Sequence, residues 1–218
     1  MQFSCYLLSI YFMSNRIAKG FDLLAPVYDT LARWAIGRDI VSAQLCFLNQ
    51  LKNCNRILIL GGGSGWILES LCTNFPHVEI DYIDVSPRMI KSGRKKYAHY
   101  ERVRFIQGTE EDIPEKNYDG VITNFYLDMF GAKSLSRAIE RIKISLSSQA
   151  TWIATDFVDE SRMHSFKLWC MYRFFGVITC IEATRLPDWQ SQLTQAGFKL
   201  FGSRKFDNGF IASNCYIA

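Results

Sequence analysis

Two stretches of the chain have residue types and spacing suited to holding a nucleoside-like ligand. In Ile57-Leu58-Ile59-Leu60-Gly61-Gly62-Gly63-Ser64-Gly65-Trp66, glycines follow directly on a short apolar run. Glycines there let the backbone turn sharply and let a ligand approach main-chain N–H groups with no Cβ in the way. A helix beginning just beyond adds free donors and the positive end of its dipole for an anionic group. The second stretch, Val78-Glu79-Ile80-Asp81-Tyr82-Ile83-Asp84, ends in an acid. It lies about 20 residues past the glycines, where a carboxylate accepts hydrogen bonds from ribose hydroxyls.

The ligand class is narrowed by what the glycine run lacks. A nicotinamide fingerprint needs a third small residue for close helix–strand packing, and that place is Trp66. The G-x-x-x-x-G-K-[ST] phosphate loop is absent too. Two plainer readings stand beside a ligand site: a tight strand-to-helix turn for the glycines, and a helix cap for Asp84. The two stretches taken together favour a ligand.

These residues need a frame. The run 57–60 reads as a strand buried on both faces, and Leu68, Leu71, Cys72 and Phe75 follow with helical spacing. Ser86 caps a second helix with Pro87 in its first turn and Met89, Ile90, Gly93, Tyr97 and Tyr100 on its inner face. Residues 103–106 form a third strand, 107–114 a polar loop and 118–123 a fourth strand. Leu135, Ala138, Ile139, Ile142 and Leu146 make a helix stripe, and 150–156 a fifth strand. Strands alternating with helices predict a right-handed parallel sheet covered on both faces.

The ends depart from this rhythm. Residues 163–178 are apolar nearly all round, which predicts a buried element, a pocket lid or a dimer face. Trp189, Leu193 and Ala196 mark a helix stopped by Gly197. Two strand patterns, 198–206 and 210–217, flank Asp207-Asn208-Gly209, a hairpin signal that predicts an antiparallel last strand. At the other end, residues 1–12 are an apolar extension and Met13 reads as a more natural start. Residues 13–218 then form one domain, with an N-terminal flap over about 15–50, interrupted at Pro26, and an inserted lid over about 160–185. Within the flap, Ile40, Gln44, Phe47, Leu48 and Leu51 sketch a helix.

The formal net charge is +4, and Arg94-Lys95-Lys96, the densest basic run, falls on an exposed helix face. No broad basic stripe predicts a nucleic-acid partner. The apolar extension is too short to span a bilayer, so no stable membrane insertion is expected. The seven cysteines (Cys5, Cys46, Cys54, Cys72, Cys170, Cys180, Cys215) show no C-x-x-C and no histidines at ligand spacing. That predicts reduced, mostly buried thiols, no metal, and a cytoplasmic protein.

In order and spacing these motifs resemble the class I S-adenosylmethionine-dependent methyltransferases over about residues 15–218. Leu60-Gly61-Gly62-Gly63-Ser64-Gly65 resembles the family's first motif, and Asp84-Val85-Ser86-Pro87-Arg88-Met89 its second-strand acid and adenine contact. Gln107-Gly108-Thr109-Glu110-Glu111-Asp112-Ile113-Pro114 resembles the adenine-edge loop. Tyr118-Asp119 and Asn124-Phe125 resemble the fourth-strand motif by the methionine end. The segment from Phe21 to Asp29 is similar to the opening of quinone-biosynthesis and related small-molecule methyltransferases.

The resemblance implies a Rossmann-like, seven-stranded, mostly parallel sheet with an antiparallel C-terminal hairpin strand and helices on both faces. It implies S-adenosyl-L-methionine as cofactor, held by Tyr28, Gly61, Gly62, Gly63, Gly65, Asp84, Val85, Ser86, Met89, Thr109, Glu110, Asn124 and Phe125. Two positions depart from the family: Ile59 replaces a common first-strand acid, and Thr109 a common aspartate. The implied reaction is methyl transfer to the oxygen, nitrogen or carbon of a small acceptor such as a quinone, phenol or lipid-like acid. Candidates for a base are Tyr28, Tyr126, Asp128, Asp156 and His164. Each has a plain structural reading as core aromatic, helix cap or packed histidine. A homodimer is compatible with the aromatic stretch. The alternatives are an inactive binding or structural protein of the same fold, permitted by Ile59 and Thr109, and a nicotinamide oxidoreductase, opposed by Trp66 and the hairpin. A nucleic-acid methyltransferase is disfavoured because Asn124-Phe125-Tyr126 lacks the Asn-Pro-Pro-Tyr signature.

Overall fold

The computed structural model describes residues 39–178 and 183–218, together with Gly20. The extension 1–12, Tyr28 and most of the expected flap lie outside these residues. In the described part, the strands are β1 Arg56–Leu60, β2 Glu79–Asp84, β3 Val103–Gln107, β4 Tyr118–Asn124, β5 Leu146–Phe157, β6 Lys199–Phe206 and β7 Ile211–Ile217. The helices are α1 Asp39–Leu45, α2 Ile67–Asn74, α3 Pro87–Tyr97, α4 Ala132–Lys143, α5 Arg162–Ile178 and α6 Trp189–Gln195.

One seven-stranded sheet has the order β3-β2-β1-β4-β5-β7-β6. Pairings from β3 through β5 are parallel. β7 inserts antiparallel between β5 and β6, so it alone runs against the rest. The hairpin turn carries positive φ at Asp207, Asn208 and Gly209. It is therefore longer than the two-residue type I′ turn that Asn-Gly favours.

The alternation of β1 explains the double-sided core. Leu58 and Leu60 join the cluster of Leu135, Ile139, Trp189 and Leu193, which brings in α4 and α6. Ile57 and Ile59 join Leu68, Leu71, Ile90 and Tyr97, which brings in α2 and α3. Fully burying each such side chain contributes roughly 1.5–3 kcal/mol. The chain crosses from β3, at one edge, back to β4 beside β1. That reversal opens a crevice at the carboxyl ends of β1 and β4, where α/β proteins bind ligands.

Several elements differ from the sequence reading. The helix sketched over 40–51 is broken into α1 and a 3-10 turn, Leu48–Leu51. β5 begins at Leu146, because α4 stops at Lys143 and Leu146 pairs with Tyr118 across an irregularity. The loop 107–114 contains a 3-10 turn, Glu110–Asp112. α5 is not buried all round. His164 and Leu168 face inward and Met171 and Tyr172 are half-buried, while Met163, Phe166, Trp169 and Phe174 are 47–69% exposed. That opposite exposure removes the core reading for Trp169 and Phe174. Among the described cysteines all are free, and Cys170 is exposed rather than buried.

Away from the crevice, Asp81 lies buried in β2, joined to Arg104 at 2.7 Å, Tyr118 at 2.5 Å and Lys116 at 3.1 Å. Burial alone would raise its carboxyl; these three partners overrule burial and hold it below the usual carboxylate range. No described helix is long and apolar enough to cross a membrane. Among the described residues no group of 3 or more His, Cys, Asp or Glu is placed to hold a metal ion.

Candidate functional site

The glycine turn leaves β1 at the crevice and is fastened to β2 from two sides. Gly61 N–H donates to the Ile83 carbonyl at 3.0 Å. Tyr82 donates its hydroxyl to the Gly63 carbonyl at 2.9 Å. Two glycines here have separate reasons. A Cβ on Gly62 would overlap the Tyr82 ring. Gly63 has φ +61, and a Cβ there would meet nothing within 4 Å. The Gly63 backbone therefore faces open space, in a conformation that side-chain-bearing residues seldom adopt.

Asp84 closes the other side. Its Oδ2 accepts the Gly63 N–H at 2.8 Å and its Oδ1 accepts the Ser86 N–H at 2.8 Å. Ser86 in turn accepts the Met89 N–H at 3.1 Å, with Pro87 in the first turn of α3, as its sequence demands. Asp84, Ser86 and Met89 are buried and Val85 is half-buried. The acid is thus both part of a turn cap and a tie between the first two motifs.

Beyond β3, Thr109 and Asp112 cap the short turn reciprocally. Thr109 Oγ1 accepts the Glu111 N–H at 3.3 Å, and Asp112 Oδ2 accepts the Thr109 N–H at 2.9 Å. Glu110 points into the site and accepts the Tyr126 hydroxyl at 2.6 Å. Burial raises the Glu110 carboxyl, opposed by that hydrogen bond. The Tyr126 hydroxyl is raised too, first by burial and then by the charge on Glu110. Sequence reasoning named Glu110 and Tyr126 separately, but missed their contact and the parts of Tyr82, Asp112 and Gln44. The signal for Tyr82 was its place two residues before Asp84, which puts it on the same strand face.

At the end of β4, Phe125 adopts φ 52, a strained turn costing on the order of 1–3 kcal/mol. It is anchored by donating its N–H to Thr155 at 2.7 Å and by packing its ring 4.8 Å from that of Phe157. The turn brings Tyr126 over Gly61, where an added Cβ would lie 2.6 Å from the ring. Asn124 donates to Gln44 on α1 at 3.5 Å, while its buried Oδ1 has no partner among the described residues. Farther along, Asp156 accepts from Leu127, Asp128 and Phe157 N–H groups at 2.9, 3.2 and 2.8 Å.

Asp128 does not cap α4, whose N-cap is Gly131. It lies buried beside Asp156, with Oδ1 unpartnered among the described residues. Burial pushes the Asp128 carboxyl up to about 7. Burial and the Asp128 charge push Asp156 well above the usual range. His164 is buried: its ring lies 5.3 Å from Phe210, and its Nδ1 accepts the Glu160 N–H at 3.4 Å. At the amino edge of the sheet, an open polar cleft of about 500 Å³ is lined by Asn55, Arg56, His77, Glu79, Arg102, Asn117 and Asp119. Asp119, read with Tyr118 as part of the fourth-strand motif by the methionine end, lies in it at the start of β4, away from the crevice; none of the residues assigned to the cofactor does.

A family model described as a methyltransferase domain matches residues 57–149, which contain both fastened motifs and the β4 turn. Over 144 residues the chain is 30% identical to a malonyl-[acyl-carrier protein] O-methyltransferase of Priestia megaterium, covering 66% of this chain and 49% of that protein. Residues 57–149 are a methyltransferase domain of the class I S-adenosylmethionine-dependent kind.

A second relative, malonyl-[acyl-carrier protein] O-methyltransferase 1 of Ilyobacter polytropus, is 28% identical over 111 residues, 50% of this chain and 41% of that protein. The chain thus spans about half the length of these curated relatives. In fold it is similar to the O-methyltransferase NcsB1 from neocarzinostatin biosynthesis, solved with S-adenosyl-L-homocysteine and 1,4-dihydroxy-2-naphthoic acid. The TM-score is 0.67 at 14% identity, covering 90% of this chain and 58% of that one. The Rossmann-like sheet with its reversed hairpin strand is the methyltransferase fold that the sequence motifs implied.

Among the described family positions, the structure brings Gly61, Gly62, Gly63, Gly65, Asp84, Ser86, Thr109, Glu110, Asn124 and Phe125 to one edge of the sheet. The arrangement fits the family's cofactor at two points: the open backbone at Gly63, and a buried oxygen of Asn124 still lacking a donor.

Proposed function

We propose that this chain transfers a methyl group from S-adenosyl-L-methionine to a small acceptor. The observation that carries the reading is the Gly63–Asp84 tie at 2.8 Å across the carboxyl ends of β1 and β2. It fixes, side by side, a backbone that admits a ligand and an acid suited to ribose. Family membership supplies the donor.

The bound donor supplies an activated methyl on a sulfonium, so a lone pair of the acceptor forms the new bond while the carbon–sulfur bond breaks to a neutral thioether. The protein then has to orient the acceptor and exclude water. Asp84 is the ribose partner; Gly61, Gly63 and Gly65 present backbone to the donor's chain; Val85, Ser86 and Met89 flank the adenine. Thr109 is engaged in capping, so Glu110 and main chain take the adenine edge. Asn124 and Phe125 stand at the methionine end, and Tyr28 is assigned there from its family position.

A base is needed only for an acceptor that loses a proton. Tyr126 is tied to Glu110, and His164 is packed on Phe210. Asp128, with its raised carboxyl and unpartnered oxygen, is the described group suited to taking that proton near neutral pH. Tyr172 of α5 donates to the Asp128 carbonyl at 3.2 Å, which sets the lid helix against this loop. An acceptor beside this contact meets the half-buried Met171 and Tyr172 of α5, with Arg162 and Arg173 on the exposed side of the same helix, suiting a flat or lipid-like acid. The two curated relatives are named for a malonyl group on an acyl carrier, so malonyl thioesters belong with such acids. Detection of S-adenosylhomocysteine against phenols, quinones, carboxylic acids, amines, lipids and malonyl thioesters tests the reading. Turnover on one class supports it, and a chain whose melting temperature does not respond to donor or product refutes it.

A further inference from the structure

We infer that Gln44 of α1 is a binding residue for the amino-acid end of the methyl donor, its side-chain oxygen joining that of Asn124 in an uncharged socket for the ammonium group. The inference rests on the donor reading above and adds a residue that no motif contains.

The argument begins at Ile59. An acid on this strand could face a cation, but Ile59 is 2% exposed and packed among Ile122 and Ile153. Ile59 is opposite Ile122 in the β1–β4 register. Strand side chains alternate faces, so Asn124, two residues past Ile122, projects on the same face as Ile59, one step nearer the crevice. That step places it beside Gly61, where the glycine turn begins. The polar group lost from β1 is thus replaced from β4, closer to the edge.

Asn124 Oδ1 is buried and, among the described residues, unpartnered. A buried carbonyl oxygen left without a donor is costly, and one in a crevice calls for a ligand that donates. The facing group is Gln44, only 6% exposed, whose Oε1 accepts from Asn124 Nδ2 at 3.5 Å, the outer limit of a hydrogen bond. α1 is fixed over this place: Thr155 donates to the Ala43 carbonyl, and Ala43 packs with Phe157 and Phe210. Gln44 Oε1 therefore faces the Asn124 amide beside the turn, and the one long bond between them leaves Asn124 Oδ1 open to a donor. An ammonium group has donors only and no acceptor, so oxygens from two elements complement it. Because Gln44 belongs to α1 and Asn124 to the sheet, the ligand's amino group ties the N-terminal element to the core.

The test separates the amino-acid end of the ligand from its nucleoside. Isothermal titration of the full chain uses S-adenosylhomocysteine and 5′-methylthioadenosine, which lacks the amino-acid carbons. Gln44→Met keeps the volume and removes the oxygen. It should weaken S-adenosylhomocysteine by about tenfold or more, the scale of a hydrogen bond to a charged group, and leave methylthioadenosine within about twofold. Gln44→Glu, which keeps an oxygen and adds a charge, should hold S-adenosylhomocysteine at least as tightly as wild type. Asn124→Ser should show the same split as Gln44→Met and serves if that variant does not unfold cooperatively. Equal losses for both ligands would make Gln44 a packing residue only, and unchanged affinity would remove it from the site. A wild-type chain that binds neither ligand overturns the donor reading itself, an outcome distinct from either.

Discussion

The Asp84 carboxylate accepts the Gly63 N–H at 2.8 Å, joining the end of β2 to the turn that leaves β1. Its other oxygen accepts Ser86 N–H, which starts α3. One side chain thus organises two motifs before any ligand arrives. Asp84→Ala should therefore do two things at once. Denaturant unfolding of the free protein should show a loss of about 1–3 kcal/mol from the stranded N–H groups. Donor affinity should fall by roughly 2 kcal/mol or more, from lost charge-assisted bonds to ribose. A stability loss with affinity intact would reduce Asp84 to a cap.

At the turn itself, Gly62 and Gly63 should respond differently. Gly63→Ala has room but keeps a positive φ, so the fold should survive with a cost of about 1–2 kcal/mol, and Gly63→Val should in addition abolish donor binding. Gly62→Ala drives a Cβ into the Tyr82 ring and should fail to fold or lose cooperativity, which circular dichroism melts will show. If Gly63→Val binds the donor as wild type does, the turn is not part of the site.

The Asp128–Asp156 pair gives a pH dependence with a definite sign. Folding raises the Asp128 carboxyl from its ordinary value of 3.8 to about 7. Its contribution to stability is therefore complete below about pH 4 and is lost as pH rises through 7. The full effect is up to about 4 kcal/mol, since each tenfold gain in proton affinity on folding is worth about 1.4 kcal/mol. Between about pH 4 and 7, wild type should lose stability more steeply than Asp128→Asn, whose remaining slope comes from the buried Asp156 carboxyl. Parallel curves for the two proteins would mean that Asp128 is ionised throughout.

On α5, Trp169 is 61% exposed and Phe174 47%, whereas Leu168 is buried against Phe157 and Phe210. Trp169→Ala should change unfolding free energy by no more than about 0.5 kcal/mol. Leu168→Ala should cost about 2–5 kcal/mol. As part of the acceptor's cover, Trp169→Ala should also lower turnover without moving donor affinity. A shift in sedimentation coefficient with Trp169→Ala would assign that face to a dimer.

Much of the frame was legible in the chain because its signals are local. The run 57–60 has the composition of a doubly buried strand. Ser86-Pro87 carries its own cap, and Asp207-Asn208-Gly209 forces a reversal with positive φ. Composition also put Gly61, Gly63 and Asp84 at consecutive strand ends of an alternating pattern, which a parallel sheet must bring to one edge. What the sequence could not decide were contacts between residues far apart in the chain. Burial and hydrogen bonding of Gln44 with Asn124 depend on where α1 lies over β4, a separation of 80 residues. Tyr126 meets Glu110 only because Phe125 turns the chain at a φ of 52. The raised carboxyl of Asp128 needs the desolvation of a packed core and the nearby Asp156, neither of which local spacing encodes. For α5, a stripe of large apolar residues could not say which face packs. That was decided by the surface that β5, β7 and α1 offer to His164 and Leu168, leaving Trp169 outside.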